Sequence, residues 1–259
     1  MKDVRPKKQL GQHFLTSQKI AKDIVDALQW QGPTIEVGPG MGVLSQYLFE
    51  RKELQMKLVE VDQESVDYLK AAYPEQADTV VLADFLRQDP SEFFPDNQQF
   101  AVIGNFPYNI SSQIFFRILE YKDRVPTVVG MLQREVALRL ASGPGTRDYG
   151  ILSVFLQAYY DIEYLFTVHE DVFNPPPKVK SGVIKLTRNN VQHLDCDEAL
   201  FRKVVKATFG QRRKMIWNGL KSLGVDVEHL REDPIVKRRP EQLSVEEFVY
   251  LTNRVERGE

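Results

Sequence analysis

The sequence predicts an α/β fold, in which a mostly parallel sheet alternates with helices and is followed by a small helical domain. Over the first 150 residues, short runs rich in β-branched residues alternate with helical patterns. Parallel strands need such crossover helices, which cover both faces of the sheet. Two β-rich runs then follow each other closely, at 159–168 and 182–188. From about residue 189 onward the apolar spacing is helical.

Each element is predicted from its local pattern. Strands are expected at 34–37, 56–61, 79–82, 100–104 and 125–132, with helices at 43–51, after 61 to about 72, at 111–121 and at 151–159. The two late strands are expected to pair as an antiparallel hairpin at the sheet edge. Further helices are expected at 197–209, 212–223, 227–231 and 244–254. Ser244 and Glu247 have the spacing of a capping box. The predicted domains are therefore 1–188 and 189–259.

Composition excludes several classes of protein. Of the 259 residues, 42% are apolar and 27% charged, which is typical of a globular protein. No apolar run approaches the roughly 18 residues of a transmembrane helix, and the N-terminus lacks the apolar core of a signal peptide. The single cysteine, Cys196, cannot form an internal disulfide, which favours the cytoplasm. The four histidines are scattered, so no metal site is expected.

Charge is unevenly distributed along the chain. Residues 1–22 hold six basic and one acidic residue, whereas 23–177 hold 11 basic and 23 acidic ones. Residues 178–240 are again basic, with 15 basic against seven acidic residues, and 241–259 hold two against five. An acidic body with basic ends indicates either contacts to a polyanion or merely solvated helix surfaces.

A glycine-rich loop, Gly38-Pro39-Gly40-Met41-Gly42, links the first strand to a helix. Gly38 and Gly40 would let the backbone approach a ligand closely. Glu60 and Asp84 follow the next two strands, where carboxylates suit ribose hydroxyls and an adenine amino group. The spacing of the glycines, G-x-G-x-G, differs from the G-x-G-x-x-G of dinucleotide-binding proteins, so S-adenosylmethionine is favoured over NAD as the cofactor. Alternatively, the loop is a structural turn, and each acid is a solvated strand end or a helix cap.

A second motif, Asn105-Phe106-Pro107-Tyr108, follows the fourth strand. The Asn105 side-chain carbonyl and the Phe106 backbone carbonyl suit the two hydrogens of an exocyclic amino group. Pro107 would stiffen that backbone, and Tyr108 would stack on the base. Because Asn cannot act as a general base, catalysis would come from positioning and electrostatics. The alternative is a tight turn with Tyr108 in the core.

Six segments together resemble the small-subunit ribosomal RNA adenine N6-dimethyltransferases. They are Gln9–Leu15, Glu36–Gly42, Glu60–Asp62, Asn105–Ile110, Phe173–Ser181 and Phe209–Lys214. The resemblance implies a Rossmann-like methyltransferase that uses S-adenosylmethionine and releases S-adenosylhomocysteine. It implies conversion of two adjacent adenosines, in the hairpin loop near the 3′ end of 16S rRNA, to N6,N6-dimethyladenosine in the immature 30S subunit.

The resemblance also implies roles for individual residues. Cofactor contacts would come from His13, Leu15, Gly38, Glu60, Asp84 and Asn105, with Gly40 in the same loop. Tyr108 and Phe173 would sandwich the flipped adenine. Two positions depart from the common family pattern: members often carry Asn in place of His13 and Leu in place of Phe106. At position 106 only the backbone carbonyl is needed to bind the amino group, so the chemistry should be kept. The change from Leu to Phe would affect only the width of the pocket.

Basic residues form a candidate RNA-binding rim: Lys7, Lys8, Lys178, Lys180, Lys206, Arg212, Arg213, Lys214, Lys237, Arg238 and Arg239. Arg212-Arg213-Lys214 is expected at a helix start, where the helix dipole disfavours cations, so an external phosphate is inferred. Three alternatives to the small-subunit enzyme stay open: a 23S rRNA adenine methyltransferase of the antibiotic-resistance type, a non-catalytic 30S assembly factor, and, more distantly, a NAD oxidoreductase. A cytoplasmic monomer is expected.

Overall fold

The computed structural model describes residues 4–95 and 97–257, with Arg257 described by its backbone only. Residues 1–3, at the start of the predicted basic N-terminal segment, lie outside this range. The chain divides into two compact units, Met1–Ala137 with Ile162–Arg188, and Leu138–Asp161 with Asn189–Glu259. Residues 138–161, which the sequence analysis placed in the first domain, thus group with the second unit.

Nine strands and nine α-helices occur in the described residues. The strands are β1 (Phe14–Leu15), β2 (Gly32–Val37), β3 (Leu54–Glu60), β4 (Val80–Leu82), β5 (Ala101–Asn105), β6 (Thr127–Gln133), β7 (Tyr160–Val168), β8 (Phe173–Asn174) and β9 (Ser181–Arg188). The α-helices are α1 (Gln18–Ala27), α2 (Ser45–Glu50), α3 (Gln63–Ala72), α4 (Ser111–Glu120), α5 (Arg134–Ala141), α6 (Ile151–Gln157), α7 (Glu198–Gly210), α8 (Ile216–Leu220) and α9 (Val245–Arg257).

A seven-stranded sheet in the order β4-β3-β2-β5-β6-β9-β7 forms the centre of the first unit. The pairs from β4 to β6 are parallel, and β9 pairs antiparallel with β6. The α/β prediction is confirmed, and β7 and β9 are neighbours at the sheet edge as expected. The parallel order brings the carboxyl ends of β2, β3 and β5 to one edge of the sheet, where ligands bind in open α/β sheets.

A second, two-stranded sheet joins distant parts of the first unit. In this sheet β1 pairs antiparallel with β8, with Leu15 opposite Phe173 and Phe14 opposite Asn174. The side chains of Leu15 and Phe173 are buried in the apolar cluster that underlies the large sheet. This pairing was not predicted from the sequence, because a strand of two residues has no detectable periodicity.

The second unit is helical. Its apolar core includes Tyr149, Phe209 and Phe248, whose rings pack in sequence with centroids 6.3 and 5.9 Å apart. Gly219 lets α8 approach α7 closely, since a Cβ there would lie 2.5 Å from the α-carbon of Thr208. At the start of α9, the Ser244 N–H donates to the Glu247 carboxylate and the Glu247 N–H donates to the Ser244 hydroxyl, which confirms the predicted capping box.

The predicted helix at 212–223 is wrong in its first turn. Residues 211–214 form a turn after α7, and α8 begins only at Ile216. Arg212, Arg213 and Lys214 therefore follow the C-terminal end of a helix, where the dipole favours cations. The inference that phosphate is needed to offset an unfavourable dipole loses its basis.

Among the helices of the described residues, none combines the length and the apolar character that a membrane span requires.

Candidate active site

A cavity of about 370 Å³ opens at the carboxyl ends of the parallel strands. Its volume lies in the range of small-molecule sites. Of the residues proposed from the sequence, nine line it: His13, Leu15, Gly38, Gly40, Glu60, Asn105, Phe106, Pro107 and Tyr108. The glycine loop and the Asn105 motif thus face a single space, although about 65 residues separate them in the chain.

The glycine loop forms one wall of the cavity. Gly38 and Gly40 have φ values of 67° and 56°, a region that L side chains rarely adopt. A Cβ on Gly40 would lie 2.9 Å from the Phe14 ring. Both positions therefore need glycine for backbone conformation, and Gly40 needs it also for space.

Two buried carboxyl groups lie beneath this loop. Glu60 accepts hydrogen bonds from the backbone N–H groups of Gly40 (3.1 Å), Val61 (2.9 Å) and Asp62 (3.0 Å). Burial raises the pKa of Glu60, although these bonds oppose the rise. Glu36 accepts a 2.6 Å hydrogen bond from the Ser45 hydroxyl, and burial raises its pKa to about 8. Glu36 is therefore largely protonated at neutral pH.

Asn105 stands at the end of β5 with its amide oriented. Its Nδ2 donates a 3.0 Å hydrogen bond to the backbone carbonyl of His13. Because the nitrogen is committed to this carbonyl, the oxygen of the same amide is the atom left to accept from a ligand. Asn105 thus has the orientation that recognition of an amino group requires.

The Phe106 side chain is fully buried and contacts the Phe115 ring edge to face. It lies over Gly104 and Gly130, which face each other across β5 and β6. Its backbone N–H donates to the carbonyl of Met131 at 2.9 Å. The ring is therefore held in the packing of the sheet.

Tyr108 is held at two points. Its hydroxyl lies 2.5 Å from the Ser181 hydroxyl on β9, and its ring stacks on that of His13 with centroids 5.4 Å apart. Burial raises the pKa of the Tyr108 phenol, although the bond to Ser181 opposes the rise. The Nδ1 atom of His13 lies 2.8 Å from the carbonyl oxygen of Pro175.

Two residues implied by the family resemblance do not line the cavity. Phe173 is 4% exposed and lies in the apolar cluster, where pairing of β8 with β1 places it. Phe173 therefore lies outside the lining of the cavity in this structure, and its stacking on the adenine opposite Tyr108 stays a prediction. Asp84 accepts a 3.0 Å hydrogen bond from the Leu86 N–H and lies 3.5 Å from the Arg87 guanidinium. Asp84 thus caps the turn at 85–87, whereas the alternative considered from the sequence was a helix cap or a solvated strand end.

The basic residues differ in how their charges are used. Lys7 forms an ion pair with Asp62 and lies 3.3 Å from Glu64, and the bond to Asp62 raises the pKa of Lys7. Arg212 donates to the Arg147 carbonyl, and Arg238 pairs with Glu247. Lys237 pairs with Glu232 at 3.4 Å. The remaining residues of the predicted rim are exposed: Lys8, Lys178, Lys180, Lys206, Arg213, Lys214 and Arg239.

Several residues of the cavity were not predicted from the sequence. Glu36 interrupts an otherwise uncharged strand, which was a signal for a special role. Gln12 donates to Asp62 at 3.3 Å and accepts from the Lys7 backbone N–H at 2.8 Å, which ties the N-terminal segment to the start of α3. Val61 lines the cavity with a side chain that is 49% exposed, as an apolar surface for a ring would be.

Comparison with known proteins identifies the family. The family model described as ribosomal RNA adenine dimethylase matches residues 4–254. The chain belongs to the ribosomal RNA adenine dimethylase family. The chain is 57% identical over 259 residues to "Ribosomal RNA small subunit methyltransferase A" of Bacteroides thetaiotaomicron, covering 99% of this chain and 96% of that protein. The identity is 55% to the protein of the same name from Cytophaga hutchinsonii, with 98% of both chains covered.

Solved structures with the same fold include other RNA methyltransferases. The dimethyladenosine transferase from Plasmodium falciparum has a TM-score of 0.76 at 21% identity, with 92% of this chain and 96% of that chain covered. The 23S rRNA methyltransferase ErmE has a TM-score of 0.66 at 26% identity, with 94% and 99% covered. These likenesses and the family match confirm the methyltransferase fold and the family resemblance. The protein is an S-adenosylmethionine-dependent methyltransferase of ribosomal RNA adenine.

The residues around the cavity fit this cofactor. Gly38 and Gly40 leave space that side chains would fill, and Glu60 lies directly under the loop. Val61 adds an apolar surface, so the wall combines a carboxylate with a face for an adenine ring. S-adenosylmethionine supplies an electrophilic methyl group when bound. Within the described residues, no group of three or more His, Cys, Asp or Glu side chains has an arrangement for a metal ion.

Proposed function

We propose that this protein methylates N6 of two adjacent adenosines in the 3′-terminal hairpin loop of 16S rRNA, within the immature 30S subunit, and produces N6,N6-dimethyladenosine. The observation that carries the proposal is the oriented Asn105 amide beside the glycine loop in one cavity. The relatives named as small-subunit methyltransferases support the choice of 16S over 23S rRNA.

In the proposed mechanism, this chain positions the target amino group. In the first transfer, the Asn105 Oδ1 and the Phe106 carbonyl oxygen each accept one hydrogen bond from the N6 amino group. These two bonds favour a pyramidal nitrogen whose lone pair faces the cofactor side of the cavity, where the glycine loop lies. Because a neutral amide cannot take a proton, the methylated nitrogen would release its proton to solvent, and the rate enhancement comes from orientation and electrostatics. Tyr108 stacks on the base, which must leave its helix or come from a loop where unstacking costs little.

Cofactor contacts are proposed for the residues around the glycine loop. Glu60 would accept from ribose hydroxyls, and the backbone of His13, Leu15, Gly38 and Gly40 would line the remaining wall. Asp84, at the end of the adjacent strand, remains a proposed contact to the adenine amino group although it caps a turn in this structure. Asp84→Asn and Glu60→Gln proteins, titrated with S-adenosylhomocysteine, test the two contacts separately.

RNA contacts are proposed for the exposed cations of each unit. Lys8, Lys178 and Lys180 belong to the first unit, and Lys206, Arg213 and Lys214 to the second. The second of the two proposed domains, 189–259, would serve mainly to bind RNA. Phosphate contacts give affinity that falls steeply with salt. A cytoplasmic monomer is proposed as well, and light scattering measures its mass.

The deciding experiment uses 30S particles from cells that lack this protein. We expect labelled S-adenosylmethionine to transfer about four methyl groups per particle, two on each of two neighbouring adenosines. Mass spectrometry of RNA fragments locates the label. Label in 23S rRNA would instead identify an enzyme of the antibiotic-resistance type, and no label would refute the proposal.

The Asn105→Ala protein separates catalysis from assembly. We expect methyl transfer to fall at least a hundredfold, because the amide that orients the amino group is lost. Particle binding should change little, since the exposed cations remain. If Asn105→Ala restores every growth defect of the deletion strain, the principal role is assembly and not methylation.

A further inference from the structure

The ring of His13 is in direct contact with the ring of Tyr108. The two centroids are 5.4 Å apart and the ring planes are inclined by 29°, which is the geometry of an ordinary aromatic pair. No third ring lies between them at this distance. One face of Tyr108 is therefore covered by His13.

The imidazole of His13 is fixed from the other side. Its Nδ1 lies 2.8 Å from the Pro175 carbonyl oxygen, which can only accept, so Nδ1 carries the hydrogen. Pro175 directly follows β8, and His13 directly precedes β1, the strand that pairs with β8. The His13 ring therefore contacts both the Tyr108 ring and the Pro175 carbonyl.

The backbone of the same residue contacts the proposed catalytic amide. The His13 carbonyl oxygen accepts the 3.0 Å hydrogen bond from Asn105 Nδ2. His13 consequently contacts the Asn105 amide, the Tyr108 ring and the Pro175 carbonyl. Its side chain contacts Tyr108, the residue proposed to stack on the base.

We propose that His13 is a positioning residue for the target adenine. Its imidazole supports one face of Tyr108, so the base stacks on the opposite face. Ser181 holds the Tyr108 hydroxyl and His13 covers one face of the Tyr108 ring. The ring is therefore already fixed before the base binds, so binding loses no free energy to ordering this side chain. This inference deepens the proposed function and rests on it. It assigns to the His13 side chain a role that differs from the cofactor contact implied by the family resemblance.

The test compares two substitutions that each keep one property of His13. His13→Phe keeps an aromatic ring against Tyr108 and loses the bond to Pro175. His13→Asn keeps a polar side chain and loses the ring. His169→Ala is the matched control, because this histidine is exposed and is not among the residues lining the cavity.

We expect His13→Asn to lower kcat/KM for undermethylated 30S particles by roughly two- to tenfold, the range of an aromatic pair. His13→Phe should restore kcat/KM to within about twofold of the wild type. Titration with S-adenosylhomocysteine should give unchanged Kd values for both variants, which also shows that the cavity is folded. His169→Ala should match the wild type throughout.

Other outcomes overturn the inference. Equal kcat/KM for His13→Asn and the wild type would remove any role for the ring, and a higher value would identify His13 as a gate that blocks the base. If both variants bound S-adenosylhomocysteine more weakly than the wild type, the His13 side chain would instead be assigned to the cofactor site. Wild-type protein that does not methylate 30S particles would refute the proposed function itself, and this inference with it.

Discussion

Gly130 leaves the space that the ring of Phe106 occupies. A Cβ at position 130 would lie 2.4 Å from Phe106 Cε2, and one at Gly104 would lie 3.0 Å from Phe106 Cε1. The two glycines face each other across β5 and β6, so together they form a recess in the sheet. The segment that carries the Asn105 and Phe106 carbonyl oxygens is therefore anchored by packing.

The first prediction concerns this recess. Gly130→Ala should reduce the free energy of unfolding by about 1–3 kcal/mol, because the added methyl group overlaps the Phe106 ring. Phe106→Leu should recover part of that loss when combined with Gly130→Ala, since the smaller side chain gives way. Urea unfolding of the single and double variants measures the coupling. Strictly additive losses would contradict the direct contact.

The second prediction concerns the glycine loop. Gly40→Ala should weaken the binding of S-adenosylhomocysteine by at least tenfold, because the backbone must leave its left-handed conformation and the methyl group meets Phe14. Gly145→Ala is the matched control and should bind like the wild type, since Gly145 also has a positive φ of 86° but has open space around it and does not line the cavity. Isothermal titration compares the two variants. Unchanged affinity in Gly40→Ala would exclude the loop from the cofactor site.

The third prediction follows from the pKa of Glu36, which burial raises from 4.5 to about 8. The folded state holds this proton more tightly than the unfolded state, so the contribution to stability is complete below pH 4.5 and is lost as pH rises through 8. Between pH 5 and 8, the wild type should lose up to about 3 kcal/mol relative to Glu36→Gln. Urea unfolding at both pH values checks this difference. Parallel pH profiles for the two proteins would show that the shift is absent.

The fourth prediction separates cations that are paired within the protein from cations that are free to meet phosphate. Lys7→Ala should leave the salt dependence of particle binding unchanged, because Lys7 pairs with Asp62. The Lys178→Ala, Lys180→Ala double variant should reduce the slope of log K against log salt by about two. Filter binding at several salt concentrations measures both. If Lys7→Ala also reduced the slope of log K against log salt, Lys7 would be shown to contact RNA phosphate.

The sheet was largely predictable because its strands are apolar runs bounded by turn residues. The strand predicted at 56–61 is observed at Leu54–Glu60. The helix predicted at 111–121 is observed at Ser111–Glu120. The turn at 211–214 was not predictable, because charged residues are equally compatible with a helix start and with a helix end. Only the packing of α8 against α7 at Gly219 decides where α8 begins.

The site was predictable where chemistry depends on the ends of neighbouring strands. Glu60 and Asn105 meet in one cavity because β3, β2 and β5 are adjacent and parallel. The placement of Phe173 was not predictable, because its burial depends on the pairing of β8 with β1. The contact between His13 and Tyr108 depends on the same pairing, which joins segments far apart in the sequence.

The β1–β8 pair has a consequence for biosynthesis. Phe14 is synthesised before its partner Asn174, which follows 160 positions later in the chain. The nascent chain therefore cannot complete the surroundings of His13 until most of the polypeptide has been made. A chain that ends before β8 would contain the glycine loop but lack the Pro175 carbonyl that contacts His13.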